Sequence, residues 1–597
     1  MKLMPASAAH PIAIAAFIAA LSACSSTPGP SADPTPQGSA ASPPAAATEA
    51  AAASADSVAG HAAAPPALSP PPPPPPPVPA APPRALRASS ASAKQMAVRG
   101  AAVAGFVAAE APIANTERYQ EIEAHGITRT LDNPVSTFSV DVDTGSYANV
   151  RRMLRAGRLP PSDAVRVEEF INSFRYRGDS SPSLTAKAPF AVHTEIGPSP
   201  WNARTRLLRV ALNAAAPEGP LPPSNLVFLV DVSGSMSSDD KLPLVKQALL
   251  RLSEQMRARD RISLVTYAGA TKVVLASTPG DAQKQIAAAI NQLDASGGTH
   301  GESGLRLAYA QARAGFIAGG NNRVLLATDG DFNLGLTRTD SLIDIVKAER
   351  TSGIALTTLG FGTGNYNDHL MEQIADAGDG NYSYIDSLQE AEKVLVDQRA
   401  ATLLTVARNV KVQVEFNPAV VAEYRLIGYE NRALAREDFR NAPVDAGWLG
   451  AGHRGTALYE LAIVGEGGEA SAPLRYASKP ASTTAVEDEL GFVRLRYMRP
   501  GADASQEITT PLLIKQAKAQ LADTSPRYRL AAAVAGFGQK LRASPYLAEY
   551  RWQALQQLAA GAEAAAADAD VRELQELIAL AAALQAPAAA AAAIDGQ

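Results

Sequence analysis

At 597 residues the chain is longer than a single domain, and several are expected. Its net charge of -5 is small for that length, so nothing points to nucleic acid as a partner. Beyond the first two dozen residues no stretch holds the roughly eighteen uninterrupted apolar residues that a spanning helix needs. Cys24 is the only cysteine, so no disulfide within the chain can brace the fold.

The amino terminus has Lys2, an apolar run over 11–21 and then Leu21-Ser22-Ala23-Cys24, the layout of a secretory signal over residues 1–23. The small residues before Cys24 resemble a bacterial lipobox. That resemblance implies cleavage before Cys24 and a diacylglycerol on its thiol. With Ser25 rather than Asp next in line, it also implies sorting to the outer membrane. Residues 24–112 are Ala, Pro, Ser and Gly, with eight consecutive prolines over 70–77. A segment so poor in apolar side chains cannot offset the entropy of ordering, and its proline run favours extended polyproline II. It reads as a disordered tether, reaching about 50 Å as a coil and a few hundred if drawn out.

Folded sequence begins near Ile113. Residues 113–222 read as β-rich, with strands at 136–142, 190–196 and 206–211, and a short helix follows Asp143-Thr144-Gly145-Ser146. Asp141-Val-Asp143-Thr-Gly145 has the wrong spacing for a calcium loop and reads as a strand end and helix cap. Arg177-Gly178-Asp179 matches an adhesion tripeptide, but three residues recur easily by chance. Residues 223–401 alternate strand and helix as a doubly wound, mostly parallel α/β sheet does. Strands are expected at 225–231, 261–267, 271–276, 324–328, 354–359 and 382–385. Helices are expected at 241–256, 282–293, 304–312 and 368–377. Residues 402–504 return to strands at 410–416, 458–464 and 492–497. In the first of these Val410, Val412, Val414 and Phe416 form one face and Lys411, Gln413 and Glu415 the other, the pattern of a half-buried antiparallel strand. The α/β segment is therefore expected as an insertion between two halves of a β-rich domain. From 505 to 597 the chain reads as helical, with Ser525-Pro526 and Ser544-Pro545 as helix starts and Val571, Leu574, Ile578 and Ala581 on one apolar face.

The chemistry gathers at the carboxyl ends of the apolar strands of the central segment, where open α/β sheets place ligands. The first strand ends in Asp231-Val-Ser233-Gly-Ser235, one carboxylate and two hydroxyls in a loop of small residues. A Gly-rich loop, Ser296-Gly297-Gly298-Thr299, and the strand end Thr328-Asp329-Gly330 add further oxygens. Oxygen donors of this kind suit a hard cation. These three pieces, in this order, resemble the metal-ion-dependent adhesion site of von Willebrand factor type A domains. Over 113–597 the chain further resembles bacterial lipoproteins in which an amino-terminal von Willebrand factor region precedes the type A domain and a carboxyl-terminal domain follows. The stretches 138–147 and 380–385 look like signatures of that group. The resemblance implies that Ser233 and Ser235 bind the metal directly, Thr299 directly once a ligand is engaged, and Asp231 and Asp329 directly or through water. Mg2+ is the expected ion, with Mn2+ or Ca2+ as substitutes.

A cation held by neutral hydroxyls and at most two carboxylates keeps positive character and an open position, which a partner's carboxylate can fill. Hydrolysis would need a general base beside a metal-bound water, and His300 and His369 are the nearby imidazoles. Asp331 is the remaining acid at the rim. The reading is a lipid-anchored envelope protein, not an enzyme, that contacts a protein or surface polymer through a divalent cation. The alternatives are a metal-assisted hydrolase and an accessory subunit of a channel or envelope complex.

Overall fold

The computed structural model describes residues 116–140, 142–184, 187–298, 301–330, 339–441, 446–472, 488–502 and 504–595. The chain enters through two short strands, β1 (Thr128–Arg129) and β2 (Val135–Ser139), then helices α1 (Gly145–Arg155) and α2 (Val167–Asn172), then β3 (Phe190–Pro198) and β4 (Arg206–Ala214). The central segment follows as β5 (Ser224–Asp231), α3 (Leu242–Ser253), β6 (Arg261–Tyr267), β7 (Thr271–Pro279), α4 (Gln283–Asn291), α5 (Gly301–Ala314), β8 (Asn321–Thr328), α6 (Thr339–Arg350), β9 (Ala355–Phe361), α7 (Asp368–Ala377) and β10 (Tyr382–Ile385). Short helices α8 (Leu388–Glu392) and α9 (Arg399–Leu403) lead to β11 (Thr405–Phe416), β12 (Val421–Ile427), β13 (Leu449–Gly450), β14 (Arg454–Ile463), β15 (Glu489–Met498) and β16 (Ser505–Leu513). Helices α10 (Pro526–Leu541), α11 (Trp552–Ala560) and α12 (Asp568–Asp595) close the chain.

The central sheet runs β10-β9-β8-β5-β6-β7, parallel except for β7 at the edge. Residues alternate between two buried faces, which is why β5 reads as one apolar run. Leu226, Phe228 and Val230 of β5 pack toward Val245 and Leu249 of α3. Val227 and Leu229 pack toward Leu305 of α5 and Met371 of α7. The strand order reverses between β5 and β8, so the crevice expected of such a sheet opens where Asp231 and Thr328 end their strands.

Strands from before and after this segment share two further sheets. β4 pairs with β14, and β2 with β11. The sheets β1-β12-β14-β4-β3 and β13-β11-β15-β16, the latter with β2 beside β11, close over a common core that includes Val210, Val412, Phe416, Tyr459 and Val493. A second core, of α1, α2 and the three last helices, packs on Leu207, Ile427 and Leu458 of the first of these sheets. Val571, Leu574, Ile578 and Ala581 are all buried in it, and the Ser525 side chain caps α10 by accepting from the Tyr528 amide. No helix among the described residues is long and apolar enough to cross a membrane.

Four details differ from the sequence reading. Residues 505–513 form β16, a hairpin partner for β15, so the helices begin later, at Pro526. Ser544-Pro545 starts only a three-residue turn, Pro545–Leu547. Lys411 and Gln413 are buried rather than solvated, because residues 430–441 fold across that face and Lys411 Nζ donates to the Asp438 and Asn441 carbonyls at 2.9 and 2.7 Å. Asp143 does not cap α1; it is buried and accepts from the Tyr382 amide at 2.8 Å, which brings the stretches around 143 and 382 together. Asp179 of the adhesion-like tripeptide is likewise buried, between Arg209 and Arg527 at 2.6 and 2.9 Å.

His453 shows how the sandwich responds to acid. The residue is 8% exposed and its Nδ1 accepts from the Gly450 amide at 3.0 Å, which requires the neutral form. Burial, with Arg175 and Arg323 nearby, pushes the imidazole down to about 3. Between its ordinary pKa near 6.5 and that value the unfolded chain takes a proton that the folded one refuses, so stability is lost as pH falls through this window. From pH 7.5 to 5 this group alone costs roughly 2 kcal/mol. His453→Asn, whose Oδ1 can accept the same bond, is expected to flatten the pH dependence by about that amount, as read by urea unfolding at both pH values.

Candidate metal centre

Asp231 ends β5 with no solvent exposure. One carboxylate oxygen accepts from the Ser233 amide and the other from the Thr328 hydroxyl, each at 2.9 Å. Thr328 Oγ1 in turn accepts from the Gly330 amide at 3.1 Å, which ties the ends of β5 and β8 into one turn. Burial pushes the Asp231 carboxyl up to about 6; the bonds from Ser233 and Thr328 offset only part of this, and Asp329 adds to the push. Such a carboxylate is held in a place where its charge lacks full compensation.

Ser233 and Ser235 flank Gly234 in the loop after β5, with their hydroxyl oxygens 3.1 Å apart. Ser235 Oγ donates to Asp329 Oδ2 at 2.8 Å. The loop over 296–298 closes the other side, because the Ser296 amide donates to the Val232 carbonyl at 2.7 Å and the Gly234 amide to the Gly297 carbonyl at 3.0 Å. Gly297 takes a positive φ of 85° there, a conformation that favours glycine. Asp231, Ser233, Ser235 and Asp329 thus converge, while Thr299, His300 and Asp331 lie outside the described residues. His369 sits in the first turn of α7.

Two residues that the motif reading passed over complete the cluster. Lys241, buried just ahead of α3, donates from Nζ to Asp329 Oδ2 at 3.0 Å and to Asn365 Oδ1 at 2.9 Å. Asn365, on the loop between β9 and α7, donates to the same Asp329 oxygen at 3.1 Å. Gly362 lets this happen: a Cβ at that position would overlap the Lys241 stem. The available signal was topological, since the loop after β9 also leaves the carboxyl edge of the parallel sheet.

These residues fit a hard cation. The donors are carboxylate and hydroxyl oxygens, and among the described residues no group of three or more His, Cys, Asp or Glu side chains gathers that could hold a metal ion, so a cation here would depend on the serine hydroxyls. Two oxygens on adjacent positions of an octahedral Mg2+ shell lie about 3 Å apart, close to the Ser233–Ser235 separation. Asp329 Oδ2 already accepts from Ser235, Lys241 and Asn365, so a direct contact by that oxygen would compete with three hydrogen bonds. Ser233 and Ser235 are the direct donors that the arrangement favours. A cation would also supply the positive charge that Asp231 lacks.

Comparison with known proteins gives three family matches: "von Willebrand factor" over residues 113–209, "von Willebrand factor type A domain" over 225–397, and "Uncharacterized protein YfbK, C-terminal" over 401–584. Protein YfbK of Escherichia coli strain K12 is 48% identical over 452 residues, covering 74% of this chain and 77% of that protein. The chain belongs to the YfbK family. Inter-alpha-trypsin inhibitor heavy chain H3 of Homo sapiens is 29% identical over 170 residues, 27% of this chain and 19% of that protein. Among solved structures, "von Willebrand factor type A from Catenulispora acidiphila" aligns with 67% of this chain and 91% of its own at 14% identity and a TM-score of 0.38. As a family, type A domains mediate protein interaction and adhesion and are typically non-catalytic.

The buried ammonium makes a testable difference within this YfbK-family site. Lys241→Met leaves Asp329 without its buried ammonium partner, and breaking such a buried pair destabilises by about 3–5 kcal/mol. The same change makes the oxygen cluster more negative. The variant is expected to melt earlier than the parent without added ions and to gain more from saturating Mg2+, which thermal unfolding with and without the ion reads directly.

Proposed function

We propose that this chain is a lipid-anchored cell-envelope protein whose type A domain binds a carboxylate, on a protein or a surface polymer, through a divalent cation held by Ser233, Ser235, Asp231 and Asp329. The observation that carries this reading is the convergence of those four side chains at the crevice between β5 and β8. Ser235 and the loop over 296–298 are exposed at its mouth, so a partner group can approach. Mg2+ is the ion the donor set suits best, with Mn2+ and Ca2+ as substitutes. Cys24 carries the lipid, and Ser25 directs the protein to the outer membrane. The tether expected over 24–112 lies outside the described residues.

The test has two arms. Calorimetric titration of the mature chain with Mg2+, Mn2+ and Ca2+ is expected to show saturable binding that an Asp231→Ala plus Ser233→Ala variant loses. Absence of binding by the parent for all three ions would remove the cation from the proposal. In cells, labelled palmitate is expected to enter the parent protein and not a Cys24→Ala variant. A label that persists in that variant would place the lipid elsewhere.

A further inference from the structure

The loop that carries Asn365 is not held by the type A domain alone. Residues 116–119, immediately after the Ala/Pro-rich stretch, lie parallel to it as an extended strap. The Thr116 amide donates to the Gly364 carbonyl at 2.7 Å, and the Arg118 amide to the Tyr366 carbonyl at 2.9 Å. The Asp368 amide, at the start of α7, donates back to the Arg118 carbonyl at 3.2 Å. Between these bonds Glu117 turns inward, and one of its oxygens accepts from the Gly364 amide at 3.1 Å and from Arg152 Nη2 of α1 at 2.8 Å. Its other oxygen accepts from Tyr119 Oη at 2.9 Å. The Glu117 side chain is 2% exposed. Burial raises its carboxyl, but Arg152, the Gly364 amide and Tyr119 together outweigh burial and hold it below the usual carboxylate range.

From the strap a short physical chain leads into the oxygen cluster. Gly364 precedes Asn365, and Asn365 contacts both Asp329 and Lys241. Tyr384 of β10 donates to the Gly362 carbonyl at 2.6 Å at the loop's other end, and the Arg152 guanidinium lies over the Tyr384 ring at 5.3 Å. A loop of this length between a strand and a helix would otherwise sample many conformations, and the strap removes that freedom.

We propose that Glu117, with the strap over 116–119, is a positioning element of the cation site, placing Asn365 so that Asp329 and Lys241 keep the geometry that accepts a divalent ion. The proposal rests on the cation reading of the site. It makes the site composite: a segment upstream of the type A domain sets how well the domain holds its ion. Groups that orient metal ligands from the outer shell commonly change affinity by about tenfold or more.

The test uses Mn2+ binding by the full mature chain, read by calorimetry, alongside hydrogen exchange over 362–367. Glu117→Ala is expected to weaken Mn2+ binding about tenfold and to speed exchange in that loop, with exchange in the Ser233–Met236 loop unchanged. Glu117→Gln, whose Oε1 can still accept from Gly364, is expected to bind nearly as the parent does. Because Glu117→Ala strands Arg152 and could unfold the chain, Arg118→Pro serves as the second variant. It removes the amide that donates to Tyr366 while both Glu117 and Arg152 remain in the chain, and the same weakening is expected. Should both variants bind Mn2+ as the parent does, or should the loop exchange no faster, the strap is a structural tie and the proposal is overturned. A parent that binds no Mn2+ overturns the cation reading and this proposal together, an outcome distinct from variants that match a binding parent.

Discussion

The buried carboxylate of Asp231 is the constraint around which the central segment is arranged. It stands at the end of a central strand of a mostly parallel sheet, after the apolar run Leu226 to Val230, and burial raises its carboxyl to about 6. A charge in that position needs partners, and the chain supplies an amide from the loop after β5 and a hydroxyl from the end of β8. Both come from places where the sheet's hydrogen bonding stops and backbone becomes free to turn. The same exit points deliver Ser233, Ser235 and Asp329, so the need to satisfy one acid and the assembly of an oxygen cluster are one structural event.

Lys241 and Asn365 show that the cluster is also partly compensated from within, at Asp329. An ammonium facing Asp329 lowers the cost of two acids in one crevice when no ion is present. It leaves hydroxyls, rather than carboxylates, as the donors with most freedom to turn toward a cation. Under the proposed reading, a cation held this way would keep positive character that a partner's carboxylate could complement.

The surroundings of the central segment are more than packaging. Arg166 of the loop before α2 is buried and pairs with Asp368 of α7 and Glu169, and the Tyr382 hydroxyl donates to Asp368 at 2.6 Å. Arg151 of α1 reaches Glu390 at 2.8 Å and Glu573 of α12 at 3.0 Å. The Arg166–Asp368 and Arg151–Glu390 pairs are desolvated and join the segment before the inserted sheet to α7 and α8, while Arg151–Glu573 ties α1 to α12. Their worth lies in orientation as much as in energy, because a buried ion pair tolerates little misplacement. With the strap at residues 116–119, they tie the loops on one edge of the α/β unit to elements outside it.

Much of this was legible in the residues alone. The strands over 261–267 and 382–385 and the helix over 368–377 have the boundaries that periodicity and flanking polar residues imply. Asp231, Ser233, Ser235 and Asp329 could be chosen because strand-end loops of an α/β sheet are where polar side chains escape the core. What the chain order could not reveal was who meets whom across long separations. Lys411 reads as a solvated residue by alternation, and it is buried because a loop some twenty residues later folds over it. β16 reads as the start of a helical region, and it is a strand because β15 offers an edge. Glu117 looks like any polar residue at the margin of a low-complexity tract, and its carboxylate lies in the interior because Arg152 and the Gly364 amide wait there. Local pattern determined the elements and the oxygen-bearing loops, since both follow from side-chain period and backbone preference. Only the tertiary structure decided which charges face one another, since that depends on contacts the chain makes after it has folded back on itself.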